Sequence, residues 1–310
     1  MSLPDPTSTP APIRPPASGD DSPTLPAIEG GGIALSVVSP AHNEEENVRR
    51  LVDEVESACG STPGGWEFII VDDGSTDSTR RIVLDLMHAR PWLRCLAMTR
   101  TPPGRGNGQS AAFHAGFRAA RGRLIAVLDA DLQNDPADLP AMIDLLRARR
   151  ADMVQGDRSH ARKDNAVRRA GSIVGRLFRR MILGDSIRDT GCSLRVMKRE
   201  VALQLPLEFA GMHRFIPVAA RHMGYGVVEM PVHHRARLAG TTKYGFGITK
   251  RAIPGLVDCF AVRWMSRRRR PVGSEELTPG EAGKAESSRS GYARHASGNA
   301  AEPARVGGPL

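Results

Sequence analysis

VLDADLQNDP, residues 127–136, is the stretch on which the reading of this chain turns. Asp129 and Asp131 stand two apart, directly after an apolar run at 124–128 that reads as a buried strand. In an extended backbone, residues i and i+2 face the same side. Both carboxylates are then expected to converge on one hard divalent cation, with Gln133 next in the same alternation. Mg²⁺ and Mn²⁺ take oxygen ligands and commonly bridge protein carboxylates to substrate phosphates. The plainer reading is a strand-to-helix turn, with Asp135-Pro136 opening the next helix.

Around this stretch, the first half of the chain alternates strand-like and helix-like runs. Residues 33–39, 66–71 and 93–98 read as strands. Helices are expected at 44–59, with Val48, Leu51, Val52 and Val55 at helical spacing, and at 108–120 and 136–149. Another helix carries Ile82, Val83, Leu86 and Met87 behind a Ser75 or Asp77 cap. This order predicts an α/β fold, a doubly wound and mostly parallel sheet with right-handed crossovers. Such sheets bind ligands outside the carboxyl ends of their strands. The segments His42-Asn43-Glu44, Asp72-Asp73-Gly74 and Asp129-Ala130-Asp131 all fall there. Farther on, 152–155 and 225–232 read as strands, and 167–183 and 212–223 as helices. Residues 248–265 read as a helix broken or kinked near its start by Pro254-Gly255.

The two ends differ in composition from the middle. Residues 1–32 are rich in Pro, Ser, Thr and Gly, and residues 271–310 in Gly, Ser, Ala and Glu. Neither holds enough apolar surface to offset the entropy of ordering, so both are expected to be disordered tails. The tails carry net charges of −3 and −1 against +9 for the whole chain, so the core carries +13. A core that basic suggests an anionic partner. Cys59, Cys95, Cys192 and Cys259 form no CxxC pair and read as reduced thiols of a cytosolic protein. Neither a signal peptide nor a transmembrane run is visible.

Taken in order, SVVSPAHNEEENV, FIIVDDGSTDST, GQSAAFHAGF, VLDADLQNDP, GDR, RDTGCSLRVMKRE and GYGVVEMPVHHRARLAGTTKY resemble glycosyltransferase family 2. Within it they look like the polyprenyl-phosphate branch, the dolichyl-phosphate mannosyltransferases and undecaprenyl-phosphate sugar transferases. The resemblance covers about residues 33–268. It implies a GT-A domain at 33–245, a nucleotide diphosphate sugar at the strand carboxyl ends, and Mg²⁺ or Mn²⁺ as cofactor. Pro40, Ala41, Asn43 and Glu44 would surround base and ribose, with Asp72 and Asp73 beside them. Gln109, where many relatives carry Lys, would join Asp129 and Ala130 on the nucleotide sugar. Asp129, Asp131 and Gln133 would hold the metal. Arg158, Arg168 or Arg169, Arg237 and Lys243 would hold the acceptor phosphate, with Thr241 and Thr242 replacing the common Glu and Ser of that closing loop. Asp189 falls near the place where other members keep a base, so Asp129, Asp131, Arg158 and Asp189 form the implied catalytic set. Each has a plainer alternative: Asn43 and Glu44 as a helix start, Asp72-Asp73-Gly74 as a turn, Asp189 as a capping or ion-paired carboxylate, and the arginines as solvated charge.

The resemblance implies a polyprenyl phosphate as acceptor, and chemistry supports it. A sugar hydroxyl must lose a proton to a positioned base. A polyprenyl phosphate, with a second pKa of about 6, does not. It needs cations to place it. The basic amphipathic runs 167–183 and 246–270 are expected to meet an anionic membrane surface from the cytoplasmic side, with core packing as the alternative. Relatives in this branch usually continue into transmembrane helices after the segment matching VDCFAVRWM. Here Arg267 to Arg270 and a polar run follow, so peripheral attachment is expected and a separate membrane protein is a candidate partner. Two rival classes stand beside this one. One is a family 2 transferase acting on a soluble or protein hydroxyl, with Asp189 as base. The other is a basic nucleic-acid binder, disfavoured by an aromatic content of 5% without basic-aromatic interleaving. His213, His222, His233 and His234 read as structural or surface residues.

Overall fold

The computed structural model describes residues 32–102, 104–160, 166–235 and 248–270, with side chains at 166–174 and 248–253 left aside. Arg237, Lys243, Thr241, Thr242 and most of both tails lie outside the described residues, as do the side chains of Arg168 and Arg169. Chain contacts group residues through Arg267 in one unit. A second unit starts at Arg268 and is described only to Arg270.

Seven strands form one sheet: β1 (Leu35–Ala41), β2 (Trp66–Asp72), β3 (Leu93–Ala97), β4 (Leu124–Val127), β5 (Met153–Asp157), β6 (Arg195–Lys198) and β7 (Val227–Pro231), in the order β3-β2-β1-β4-β6-β5-β7. Only β6 among them runs against its neighbours, pairing antiparallel with both β4 and β5. Side chains alternate between two apolar layers. Val37, Ile70 and Ala126 point into one, and Val38, Ile69 and Ile125 into the other. Strands buried on both faces read as continuous apolar runs, which is why β1, β2 and β4 are legible from sequence.

Helices α1 (Val48–Cys59), α2 (Thr79–Met87) and α4 (Leu139–Ala148) cover the first face. The second is covered by α3 (Gln109–Ala119), α5 (Ala166–Leu183), α6 (Arg199–Gln204), α7 (Ile216–His222) and α8 (Ile248–Arg268). Gly116 lets α3 lie close on the sheet, since a Cβ there would sit 2.4 Å from Val38 Cγ1. That approach brings the start of α3 over the end of β4.

The structure departs from the sequence reading in several places, one being 136–149, which opens with a 3₁₀ turn (Pro136–Asp138) before α4. The segment 195–204, unassigned above, supplies β6 and α6. Helix α1 starts at Val48, because Asn43 turns the chain at φ 55 and residues 44–47 form a turn bonded to the loop after β2. Residues 212–223 divide into a 3₁₀ turn (Met212–Phe215) and α7. Helix α8 runs unbroken through Pro254.

Candidate functional site

Parallel register aligns three loops at one end of the sheet. Ala41 of β1 lies opposite Asp72 of β2, and Val38 lies opposite Val127, the last residue of β4. The loops at 42–47, 73–79 and 128–134 therefore meet at the strand carboxyl ends.

The aspartate pair reaches this place by a turn. β4 ends at Val127, and residues 130–132 bend rather than extend. Leu132 takes φ 61, a left-handed conformation that a non-glycine residue adopts only when its surroundings hold it there. The strand alternation invoked above is thus not what presents Asp129, Asp131 and Gln133. Asp131 Oδ1 accepts from Gln133 N–H at 3.2 Å, and Gln133 C=O accepts from Arg235 N–H at 2.9 Å. Arg235 is itself ion-paired to Asp135 and Glu54, both at 2.6 Å.

Asp129 is the most perturbed carboxyl of the site. Gln109 Nε2 donates to one oxygen at 2.5 Å, and Ser193 Oγ to the other. Burial, followed by repulsion from Asp131, lifts its pKa to about 6 against the opposing effects of Ser193, Arg195 and Arg158. Two carboxylates that repel each other at a strand end, with lone pairs remaining after these bonds, fit a divalent oxygen-liganded cation that would relieve the repulsion. Among the described residues, no group of three or more His, Cys, Asp or Glu gathers to enclose a metal. Substrate oxygens and water would have to complete the shell.

The other aspartates hold loops. Asp72 accepts from Arg80 Nε at 2.7 Å and from Ser75 N–H at 3.1 Å. Asp73 accepts from Asn107 and Gly108 N–H at 2.8 and 2.6 Å, fixing the start of α3. The Asp73 carbonyl accepts from His42 Nδ1 at 2.8 Å, which places the ring proton on that nitrogen. Asn43 Oδ1 accepts from Thr76 N–H, and Glu44 N–H donates to Thr79 Oγ1, both at 2.8 Å. Residues 42–45 and 73–79 are thereby stitched into one loop pair that extends from Pro40 and Ala41. Ala130 lies buried between the aspartates in sequence.

Arg158 and Asp189 are brought together, but with each other. Arg158 gives its backbone N–H, Nε and Nη2 to the Asp189 carboxylate at 3.2, 2.9 and 3.3 Å, and both residues are buried. The acceptor role named for Arg158 and the base role named for Asp189 both draw on groups already committed to this pair.

Sequence reading gave no site role to Ser193, Arg195, Ser110 or Arg214, and read His213 as a structural or surface residue. Arg195, on β6, is a buried guanidinium donating to the carbonyls of Ser193 at 3.1 Å, of His213 at 3.2 Å and of Cys192. It ties two loops behind Asp129. Burial pushes its pKa down to about 10. His213 N–H donates to Ser110 Oγ at 3.0 Å, and its Nδ1 lies 2.9 Å from the same oxygen. Burial, then Arg214 and Arg195, push the ring's pKa down to about 3, so it is neutral at physiological pH. A cavity of about 480 Å³ opens here, between the start of α3 and the turn carrying His213 and Arg214. The one advance signal was an arginine set inside the apolar run SLRVM.

Comparison with known proteins gives the family and the fold. The family model described as "Glycosyl transferase family 2" matches residues 36–205. The dodecaprenyl-phosphate galacturonate synthase of Rhizobium johnstonii is 40% identical over 240 residues, covering 76% of this chain and 69% of that protein. The undecaprenyl-phosphate 4-deoxy-4-formamido-L-arabinose transferase of Salmonella choleraesuis is 32% identical over 226 residues, covering 73% and 67%. Among solved structures, glucosyl-3-phosphoglycerate synthase from Mycobacterium tuberculosis with Mn²⁺, UDP and its product is similar at a TM-score of 0.53 and 19% identity, over 80% of this chain and 84% of that one. That likeness shows the fold, GT-A.

Proposed function

Because this chain belongs to glycosyl transferase family 2, we propose that it transfers a sugar from a nucleotide diphosphate sugar to a polyprenyl phosphate, with inversion at the anomeric carbon. The observation that carries this reading is the Asp129–Asp131 turn at the carboxyl end of β4, aligned with the loops of β1 and β2. The stitched loops 40–45 and 72–79 frame the nucleotide. Gln109 and Ser193 fix the Asp129 carboxylate, so its free lone pairs keep one direction. Asp129, Asp131 and Gln133 would hold Mg²⁺ or Mn²⁺, which when bound supplies charge neutralisation for the leaving diphosphate. An oxygen of the acceptor phosphate forms the new bond to the anomeric carbon. The bond from that carbon to the diphosphate breaks, and its electron pair leaves with the nucleotide. No proton moves, so no base is required.

The membrane reading rests on two helices. On α5, Leu177 and Met181 are exposed four residues apart. On α8, Val257, Phe260 and Trp264 are exposed at helical spacing, and Phe260 meets Phe178 edge-on at 6.0 Å. Exposed Arg176 and Arg180 flank the first set, and Arg267 follows the second. Apolar faces bordered by arginine suit the interface of an anionic bilayer, where the acceptor's lipid tail resides. Among the described residues, no helix is long and apolar enough to cross a membrane.

The hydroxyl-acceptor reading needs Asp189 as base, and that carboxylate is engaged by Arg158. The deciding assay mixes purified protein, polyprenyl phosphate, Mn²⁺ and labelled nucleotide sugars, then extracts lipid. Label in the organic phase, lost on adding EDTA and in Asp131→Ala, is the expected result. Transfer only to soluble hydroxyl acceptors, abolished by Asp189→Asn, would sink the lipid-phosphate reading.

A further inference from the structure

The cavity beside Asp129 carries information about the sugar, and the argument rests on the transferase reading above. Gln109 both lines this cavity and bonds Asp129, so the space opens directly beside the aspartate pair. At about 480 Å³ it is of ligand-pocket size and ample for one sugar ring. Among its lining residues only Arg214 carries a formal charge, and none is a carboxylate. Ser110 Oγ and His213 Nδ1 engage each other, and Gln109 Nε2 is given to Asp129. The neutral His213 adds no charge of its own.

Arg214 differs from the other arginines around the site. Arg158 is held by Asp189, Arg195 by three carbonyls, and Arg235 by Asp135 and Glu54. Among the described residues, no hydrogen bond or ion pair engages the exposed Arg214 guanidinium. It acts electrostatically on Asp258 of α8, whose pKa it draws down against the larger effect of burial. Asp258 packs against Gly211 behind the turn, where a Cβ would lie 2.8 Å from its Oδ2. Arg214 is exposed and is one of the residues lining the cavity. A planar five-donor fork is matched by an oxyanion such as a carboxylate. The hydroxymethyl group of a neutral hexose would use little of it.

We propose that Arg214 reads a carboxylate on the transferred sugar, making the donor a nucleoside diphosphate uronic acid. The acceptor phosphate is a second anion of similar chemistry, and the test separates the two. Matched donors differing only at C6 serve as probes: UDP-galacturonic acid against UDP-galactose, and GDP-mannuronic acid against GDP-mannose. Free UDP and GDP report nucleotide binding. Calorimetry on the whole chain with Mn²⁺ and no acceptor gives each affinity, and transfer to polyprenyl phosphate in detergent gives KM for both substrates.

One uronic donor should bind and transfer in preference to its neutral partner. Arg214→Met should weaken that uronic donor by roughly 10- to 100-fold more than the neutral one, the range expected for a charged hydrogen-bonded contact. Arg214→Lys should recover part of the loss. Equal weakening of both donors in Arg214→Met, or a wild-type preference for the neutral one, overturns the assignment while the transferase reading stands. A rise in KM for polyprenyl phosphate with either donor gives Arg214 to the acceptor and also overturns it. If neither nucleotide nor any donor binds, the transferase reading itself falls.

Discussion

Replacing Asp129 with Asn should make the metal-free protein more stable while abolishing its activity. Burial and Asp131 hold the Asp129 pKa at about 6, against an ordinary value of 3.8. At about 1.36 kcal/mol per pKa unit, ionising this group in the fold costs on the order of 3 kcal/mol at neutral pH. The folded carboxyl keeps its proton to higher pH than the unfolded one. Its contribution therefore lowers stability as pH rises from about 4 to about 6, and the loss is complete above that window. Asn carries no charge and can keep both contacts, accepting from Gln109 and donating to Ser193. Those bonds weaken when they lose charge assistance, so the net gain should be about 1–3 kcal/mol. For a domain of this size that is about 3–10 °C in Tm. Thermal melts in EDTA at about pH 4.5 and about pH 7.5 test it, with the advantage of the variant confined to the higher pH. Adding Mn²⁺ at the higher pH should raise the Tm of the wild type and not that of the variant. A variant no more stable than the wild type, or a difference independent of pH, would refute the reasoning.

Three further outcomes follow from the geometry. Asp189→Ala leaves the buried Arg158 charge without its partner and should cost about 3–5 kcal/mol in denaturant unfolding; a loss below about 1 kcal/mol would mean that solvent reaches the pair. Asp131→Ala, which removes a neighbour that raises the Asp129 pKa, should leave Tm within a few degrees of wild type yet reduce Mn²⁺-dependent transfer at least about a hundredfold, read by lipid extraction. Met181→Asp with Val257→Asp, both at exposed positions, should weaken cosedimentation with anionic vesicles by at least about tenfold; unchanged binding would return these helices to ordinary packing.

The sequence by itself determined the sheet's core and the end of the sheet at which three polar segments gather. Strands buried on both faces leave continuous apolar runs, so β1, β2 and β4 could be read directly. The polar segments at 42–44, 72–74 and 129–131 then had to meet, because parallel strands in register place their carboxyl ends on one side. β6 was invisible because it is four residues long with Arg195 and Lys198 at its ends, the Arg195 charge being accommodated by carbonyls from segments 192–193 and 213. Of the partners of Asp129, Gln109 was set beside it only by the family resemblance, and Ser193 was not named. Gln109 and Ser193 lie 20 and 64 residues away in the chain, and no local periodicity records a contact across such a span. The sequence also offered Arg158 and Asp189 as separate functional groups. Only the tertiary structure, by closing residues 158 and 189 into one buried ion pair, decided that each is the other's partner.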